Sequence, residues 1–254
     1  MRRIYQTVFI VLLILLVQTA PAQSQDPTWL DNHYLVYDVV ETITVPGPVF
    51  LDDQWGHSEH PEVFLDKFAN PVMKNGEPIV NEALHQTWWQ IDDVQSGRRV
   101  FIENQFGPQV WFTKDARYLV LPASKNVPTP LPDGTGQHYK CYEAQGPPMD
   151  LPVQLQDQWG FFDPIVAEPV LFCNPVFKTF QGVTSPTLND SLHMACYRLE
   201  PPQQLIEMFF AWDQFGLWEP LTVTQAEWLC VPSAKLEFIG VEPETWGNIK
   251  KRFR

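Results

Sequence analysis

Four times in this 254-residue chain the same short phrase recurs: Asp-Gln-Trp-Gly at 53–56 and 157–160, Asn-Gln-Phe-Gly at 104–107 and Asp-Gln-Phe-Gly at 213–216. No other feature constrains the fold as strongly, because the phrase belongs to a longer unit. A His followed four residues later by an aromatic precedes each copy, at His33, His85, His138 and His193. A Pro followed three residues later by Lys comes after each copy, at Pro71, Pro122, Pro175 and Pro232. The His positions step by 52, 53 and 55, and the closing glycines Gly56, Gly107, Gly160 and Gly216 step by 51, 53 and 56. Landmarks that keep pace over four copies define four units, at 33–74, 85–125, 138–178 and 193–235.

The local pattern gives each unit its structure. Val153, Leu155, Asp157 and Trp159 fall on one face and Gln154, Gln156 and Gln158 on the other, the period of two of a strand with one buried side. Unit one repeats this with Val49, Leu51, Asp53 and Trp55. Asp53, Asn104, Asp157 and Asp213 therefore stand at a strand end, where the amides of the following turn are their nearest donors. Gly56, Gly107, Gly160 and Gly216 supply a left-handed position as the chain turns. A Ca²⁺ reading of Asp53, Asp157 and Asp213 is weaker, since each site offers one carboxylate and Ca²⁺ takes six to eight oxygens. The four His read as repeat-structural residues that close a hydrogen bond at a strand start, and the Lys after each Pro as a solvated end.

With 24 Pro and 13 Gly, and no sustained 3.6-residue apolar period, the chain reads as all-β. Units one and three share DQWG and an Asn-Pro-Val ending, while units two and four share Gln-Phe-Gly and a small-residue ending. With the Pro/Gly-rich stretch after Val127, this pairing predicts two tandem barrel- or sandwich-like domains. Their bounds are 23–126 and 138–240, joined by a linker at 127–137, and each duplicates a roughly three-stranded unit. One closed assembly of four units is the competing arrangement.

The chain opens with Arg2, Arg3, an apolar run from Val8 to Val17 and Ala20-Pro21-Ala22. That is the pattern of a signal peptide over 1–22, cleaved near Ala22. The apolar run is too short for a transmembrane helix, so the mature chain is expected to lack one and to be secreted, periplasmic or at the cell surface. Net charge is −13, and −15 once Arg2 and Arg3 leave with the signal. Nucleic acid is excluded as a partner, because binding phosphates needs a basic face. A basic tail closes the chain at 241–254.

Candidate sites beyond the repeat are few. Trp88 and Trp89 occupy both faces of one strand, so one of them could be exposed and stack on a sugar. His57 and His60, in His-Ser-Glu-His-Pro-Glu, read as a loop able to hold a transition metal and serve a metal-dependent hydrolase. No nucleophile elbow, phosphate loop or H-E-x-x-H motif is present, and no cofactor is expected.

The unit resembles a family of uncharacterised repeat domains in exported bacterial proteins that carry H-L-x-C-Y, then V-x-[DN]-Q-F-G, then L-C-[NV]-P-[VS]-x-K. HYKCY and HMACY, DQWG and DQFG, and LFCNPVFK and WLCVPSAK are the matching segments, all within 138–235. The half at 33–125 has Val36, Ala69, Trp88 and Val120 in the Cys positions. The resemblance implies export and a fold unit, and it brings no activity and no catalytic residues. The expected function is thus an exported, non-enzymatic binding or structural module whose partner is a protein or glycan at the cell surface. The alternatives are a carbohydrate-binding module and the hydrolase.

Four Cys in an exported chain favour disulfides. Both Cys positions are filled in units three and four and both are empty in units one and two, as paired bonding requires. Within-unit pairing, Cys141–Cys173 with Cys196–Cys230, is preferred. Cys173–Cys196 with Cys141–Cys230 remains open.

Overall fold

A computed structural model describes residues 31–95 and 97–236. The signal segment and the basic tail lie outside the described residues. Unit one is a hairpin of β1 (His33–Asp53) and β2 (Gly56–Lys74), and unit four one of β13 (His193–Asp213) and β14 (Gly216–Leu236). In unit two the first strand breaks into β3 (His85–Asp93) and β4 (Arg98–Asn104) before β5 (Gly107–Lys125). Unit three runs through β6 (Tyr139–Gln145), β7 (Leu151–Pro152), β8 (Leu155–Gln156), β9 (Phe161–Phe162) and β10 (Ile165–Pro175). Two short strands follow it, β11 (Phe177–Phe180) and β12 (Val183–Ser185). Where the first strand is continuous, register shifts at Asp38/Ile43 and Arg198/Gln203 replace the break at the same place. Bulges bend a strand without ending it. Each hairpin therefore has a wall part near the His and an arm that carries the DQ[WF]G turn.

The protein is all-β, as its sequence predicts, with one large antiparallel sheet. The two halves were expected as separate domains, but they share that sheet. β5 pairs with β6 (Val120 opposite Tyr139) and β1 pairs with β14 (Tyr34 opposite Cys230). With β1 against β2, the pairing closes a ring in the order β1, β14, β13, β10, β6, β5, β3, β2. The segment 127–137 joins two paired units of one assembly.

Alternation along the strands sorts the apolar residues into two layers. One buried cluster takes a residue from every ring strand: Val36, Ala69, Trp88, Val120, Cys141, Cys173, Cys196 and Cys230. Residues from all eight strands can meet only inside the ring. There Cys141 bonds Cys173 and Cys196 bonds Cys230, the within-unit pairing. Each bond joins directly opposed residues of neighbouring strands. The larger cluster lies on the other side of the wall, where the arms fold over it; Tyr37, Trp89, Tyr142 and Tyr197 meet Leu51, Ile102, Leu155 and Phe209. Two buried Trp, Trp88 inside and Trp89 outside, thus anchor the two layers on adjacent residues.

One sheet and a shared interior predict one cooperative unfolding transition. Denaturant titration followed by Trp fluorescence and far-UV circular dichroism should give coincident curves. Halves that stay folded after cleavage in 127–137, with separate midpoints, would restore two independent domains.

Candidate functional site

The conspicuous polar residues of the four units meet one another where each arm docks. In every turn the Asx side chain first caps its own backbone. Asp53 Oδ1 accepts from the amides of Trp55 (2.8 Å) and Gly56 (3.2 Å). Asp157 and Asp213 do the same for Trp159, Gly160, Phe215 and Gly216, and Asn104 Oδ1 accepts from Phe106. Gly56, Gly107 and Gly216 take positive φ of 137°, 91° and 151°, as expected of the turn. Gly160 does not have positive φ. Its role is close packing instead, since an added Cβ would lie 3.1 Å from the Phe162 ring.

The second atom of each Asx reaches the unit two places away. Tyr142 OH donates to Asp53 Oδ2 at 2.7 Å, and Tyr37 OH donates to Asp157 Oδ2 at 2.7 Å. Asp213 Oδ2 accepts from Thr87 Oγ1 (2.6 Å) and Trp89 Nε1 (3.1 Å). Asn104 reverses the polarity, its Nδ2 donating to Tyr197 OH at 2.8 Å. Backbone pairing follows the same rule: β1 with β11, β8 with β2, β4 with β14 and β13 with β5. The aromatic four residues after each His is therefore the receptor for an arm from the opposite unit.

The His and Lys residues lie within these joints. His33 and His138 face Gln105 and Gln214 of neighbouring turns. Burial, reinforced by Lys74, pushes His33 down to about 3. The same combination holds His85 at about 3 beside Lys125, His138 at about 4 beside Lys178 and His193 at about 3 beside Lys235. All four are neutral at physiological pH. The lysines expected as solvated ends are buried at Lys74, Lys125 and Lys178. Their ammonium groups sit over turn aromatics, Lys74 at 5.5 Å from the Phe106 ring centre, Lys125 at 4.0 Å from Trp159 and Lys178 at 5.1 Å from Phe215. A strand end that is covered by a neighbouring arm has no solvent to reach.

The other candidates are corrected by their surroundings. Trp88 and Trp89 are both fully buried and present no face to a sugar. His57 and His60 stand in strand β2, not in a loop. An odd spacing in a strand points them to opposite sides. His57 Nδ1 is 2.7 Å from Asp52, and His60 Nε2 is 3.0 Å from Ser58 Oγ. Among the described residues no group of three or more His, Cys, Asp or Glu is placed to hold a metal ion. Ser58 and His60 place a hydroxyl beside an imidazole. Lys140 Nζ donates to Ser58 Oγ at 2.8 Å, and burial together with Lys140 lowers the His60 pKa. Both effects make His60 a poor base.

A cavity of about 610 Å³ opens where the hairpins bend, lined by Phe64, Arg117, Tyr118, Glu143 and Trp228 among others. Arg117 Nε donates to Glu143 at 2.7 Å, and Tyr118 OH donates to Asp66 at 2.8 Å. Beneath them Lys67 pairs with Asp38, Asp66 and Glu227 and lies 4.4 Å over Trp228. Burial alone would lower the Lys67 pKa, but the bond to Asp38 and the other carboxylates raise it, so it stays charged. Sequence reading missed this group because its members are far apart in the chain. It also passed over Asn70 and Asn174, although both stand in the quoted Asn-Pro-Val phrases.

The family described as a repeat of unknown function (DUF7450) matches residues 85–232, which span units two to four. No curated protein and no solved structure matches the chain.

Two outcomes follow from the joints. Tyr37→Phe takes a donor from the buried Asp157 and should cost about 1–3 kcal/mol, read as a lower denaturation midpoint, and Tyr142→Phe, whose partner Asp53 is only half-buried, should cost less. The four His bind protons in the unfolded chain below pH 6.5 and in the folded chain only near 3 to 4. The unfolded state therefore holds more protons across that window, and their contribution to stability is lost as pH falls through it. Urea midpoints measured from pH 7 to 3 should drop. Replacing His85 and His193 with Gln should flatten the slope.

Proposed function

Because the chain belongs to this repeat family of unknown function, we propose that it is an exported, non-enzymatic binding or structural module. It acts at the cell envelope or outside the cell, with a protein or glycan as its partner. One observation carries this reading: the repeated Asp and Asn cap their turns and hold the arms to the wall, and the four repeated His are buried and neutral. Export is supported by the N-terminal Arg2-Arg3, apolar and small-residue pattern together with the two disulfides. Among the described residues no helix is long and apolar enough to cross a membrane. A ligand would meet the aromatic and charged wall of the cavity at Phe64, Tyr118 and Trp228, since Trp88 and Trp89 are enclosed.

Purified protein tested on ester, phosphate, glycoside and peptide substrates should show no turnover. Hydrolysis that disappears in Ser58→Ala would overturn the non-enzymatic reading. On glycan and peptide arrays, binding should be weakened at least tenfold by Tyr118→Ala and left unchanged by Glu82→Ala on the exposed side of the chain.

A further inference from the structure

One joint holds a set of groups that goes beyond packing. Asn70 in β2 is fully buried, and Lys125 at the end of β5, His85 and Asp157 around it are almost so. Lys125 Nζ lies 3.3 Å from Asn70 Oδ1. The carboxamide carbon is one C=O bond further, so the nitrogen is within about 4.5 Å of it. Asn70 Nδ2 donates to Asp157 Oδ2 at 2.7 Å. A carboxylate only accepts, so this bond also fixes which end of the amide faces which partner. Asn70 Oδ1 receives Gln158 Nε2 at 2.9 Å and faces His85 Nδ1 at 3.1 Å. The Trp159 ring, with Lys125 Nζ 4.0 Å from its centre, and the Phe209 ring packed on it cover the nitrogen.

We propose that Lys125 and Asn70 form an intramolecular isopeptide bond, with Asp157 as the acid–base residue. The Nζ lone pair attacks Cγ of Asn70 and the carbonyl pair moves onto Oδ1, where Gln158 and His85 donate to the developing negative charge. Once bonded to Cγ, the attacking nitrogen stands beside Nδ2, the atom that Asp157 already holds; there Asp157 takes its proton and passes it to Nδ2, the Cγ–Nδ2 bond breaks, and ammonia leaves. One amide replaces another, no oxidant is needed, and the carboxylate is regenerated. The attacking amine must be neutral. Burial lowers Lys125 to about 7, against the opposing charges of Asp157 and Glu207, so a large share of it carries a free lone pair at neutral pH. A shift of about 1 Å brings Nζ into attack range.

The arrangement is not generic to the fold. Units two and four have Leu121 and Val231 where Asn70 stands. Asn174 repeats part of the pattern, with Nδ2 3.0 Å from Asp53 Oδ2 and Oδ1 2.7 Å from Gln54 Nε2. The bond would also tie unit one to unit two, the half that has no cysteine, across a sequence separation of 55.

Peptide mapping of the purified full chain, digested after denaturation and reduction, tests it. The expected product is a single branched species that joins the Asn70 and Lys125 peptides and is about 17 Da lighter than their sum, the mass of one ammonia. It should be absent in Lys125→Arg. It should also be absent in Asp157→Asn, a variant whose turn remains capped as Asn104 caps its own. Recovery of both wild-type peptides unlinked, with trypsin cutting after Lys125, would overturn the proposal. So would undiminished linkage in Asp157→Asn.

Discussion

Everything in this fold depends on an Asx side chain with two jobs, buried in units two, three and four and half-buried at Asp53. Its Oδ1 atom closes the turn that presents it, and its other terminal atom grips an aromatic residue of the unit opposite. Neither job suffices alone. A capped turn on a free arm would leave apolar strand faces in water, and an arm docked without the polar contact would bury an unsatisfied carboxylate. Asn104 makes the logic visible. Its amide cannot accept from a phenol at Nδ2, so it donates to Tyr197 OH, and the phenol becomes the acceptor. Local turn chemistry and tertiary docking are thus satisfied by one residue, which is why the phrase varies so little between copies.

The interior obeys a different constraint, that of volume. Eight strands enclose only enough space for one inward side chain each in a layer. Unit three and unit four fill their share with two cystines, and the first half fills its share with Val36, Ala69, Trp88 and Val120. The Cys positions of the first half are thus taken by buried side chains of the same interior layer.

Burial also changes the chemistry of what it encloses. Lysines under the arms lose solvent and gain aromatic faces, and Lys125 in particular becomes a weakly basic amine beside a polarised carboxamide. Such chemistry modifies the protein itself, with no substrate entering. A scaffold read as non-enzymatic toward other molecules is compatible with a reaction on its own side chains. The open cavity near Trp228 and Arg117 is separate from that joint and faces outward.

What the sequence determined by itself is the unit: its length, its strand periodicity, its Asx-capped turn and its capacity for paired disulfides. These follow from neighbours within a few residues, or from the presence and absence of Cys across copies. Tertiary structure alone decided which unit each turn docks on, that both halves close one ring, and that Trp88, Trp89, Lys74, Lys125 and Lys178 are buried. The reason is physical. Period-two alternation says that a strand has two faces but not what covers them, and here the cover is an arm from two units away. Asn70, Lys125 and Asp157 come from three units, and only a closed ring brings Lys125 and Asp157 to the two ends of the Asn70 amide.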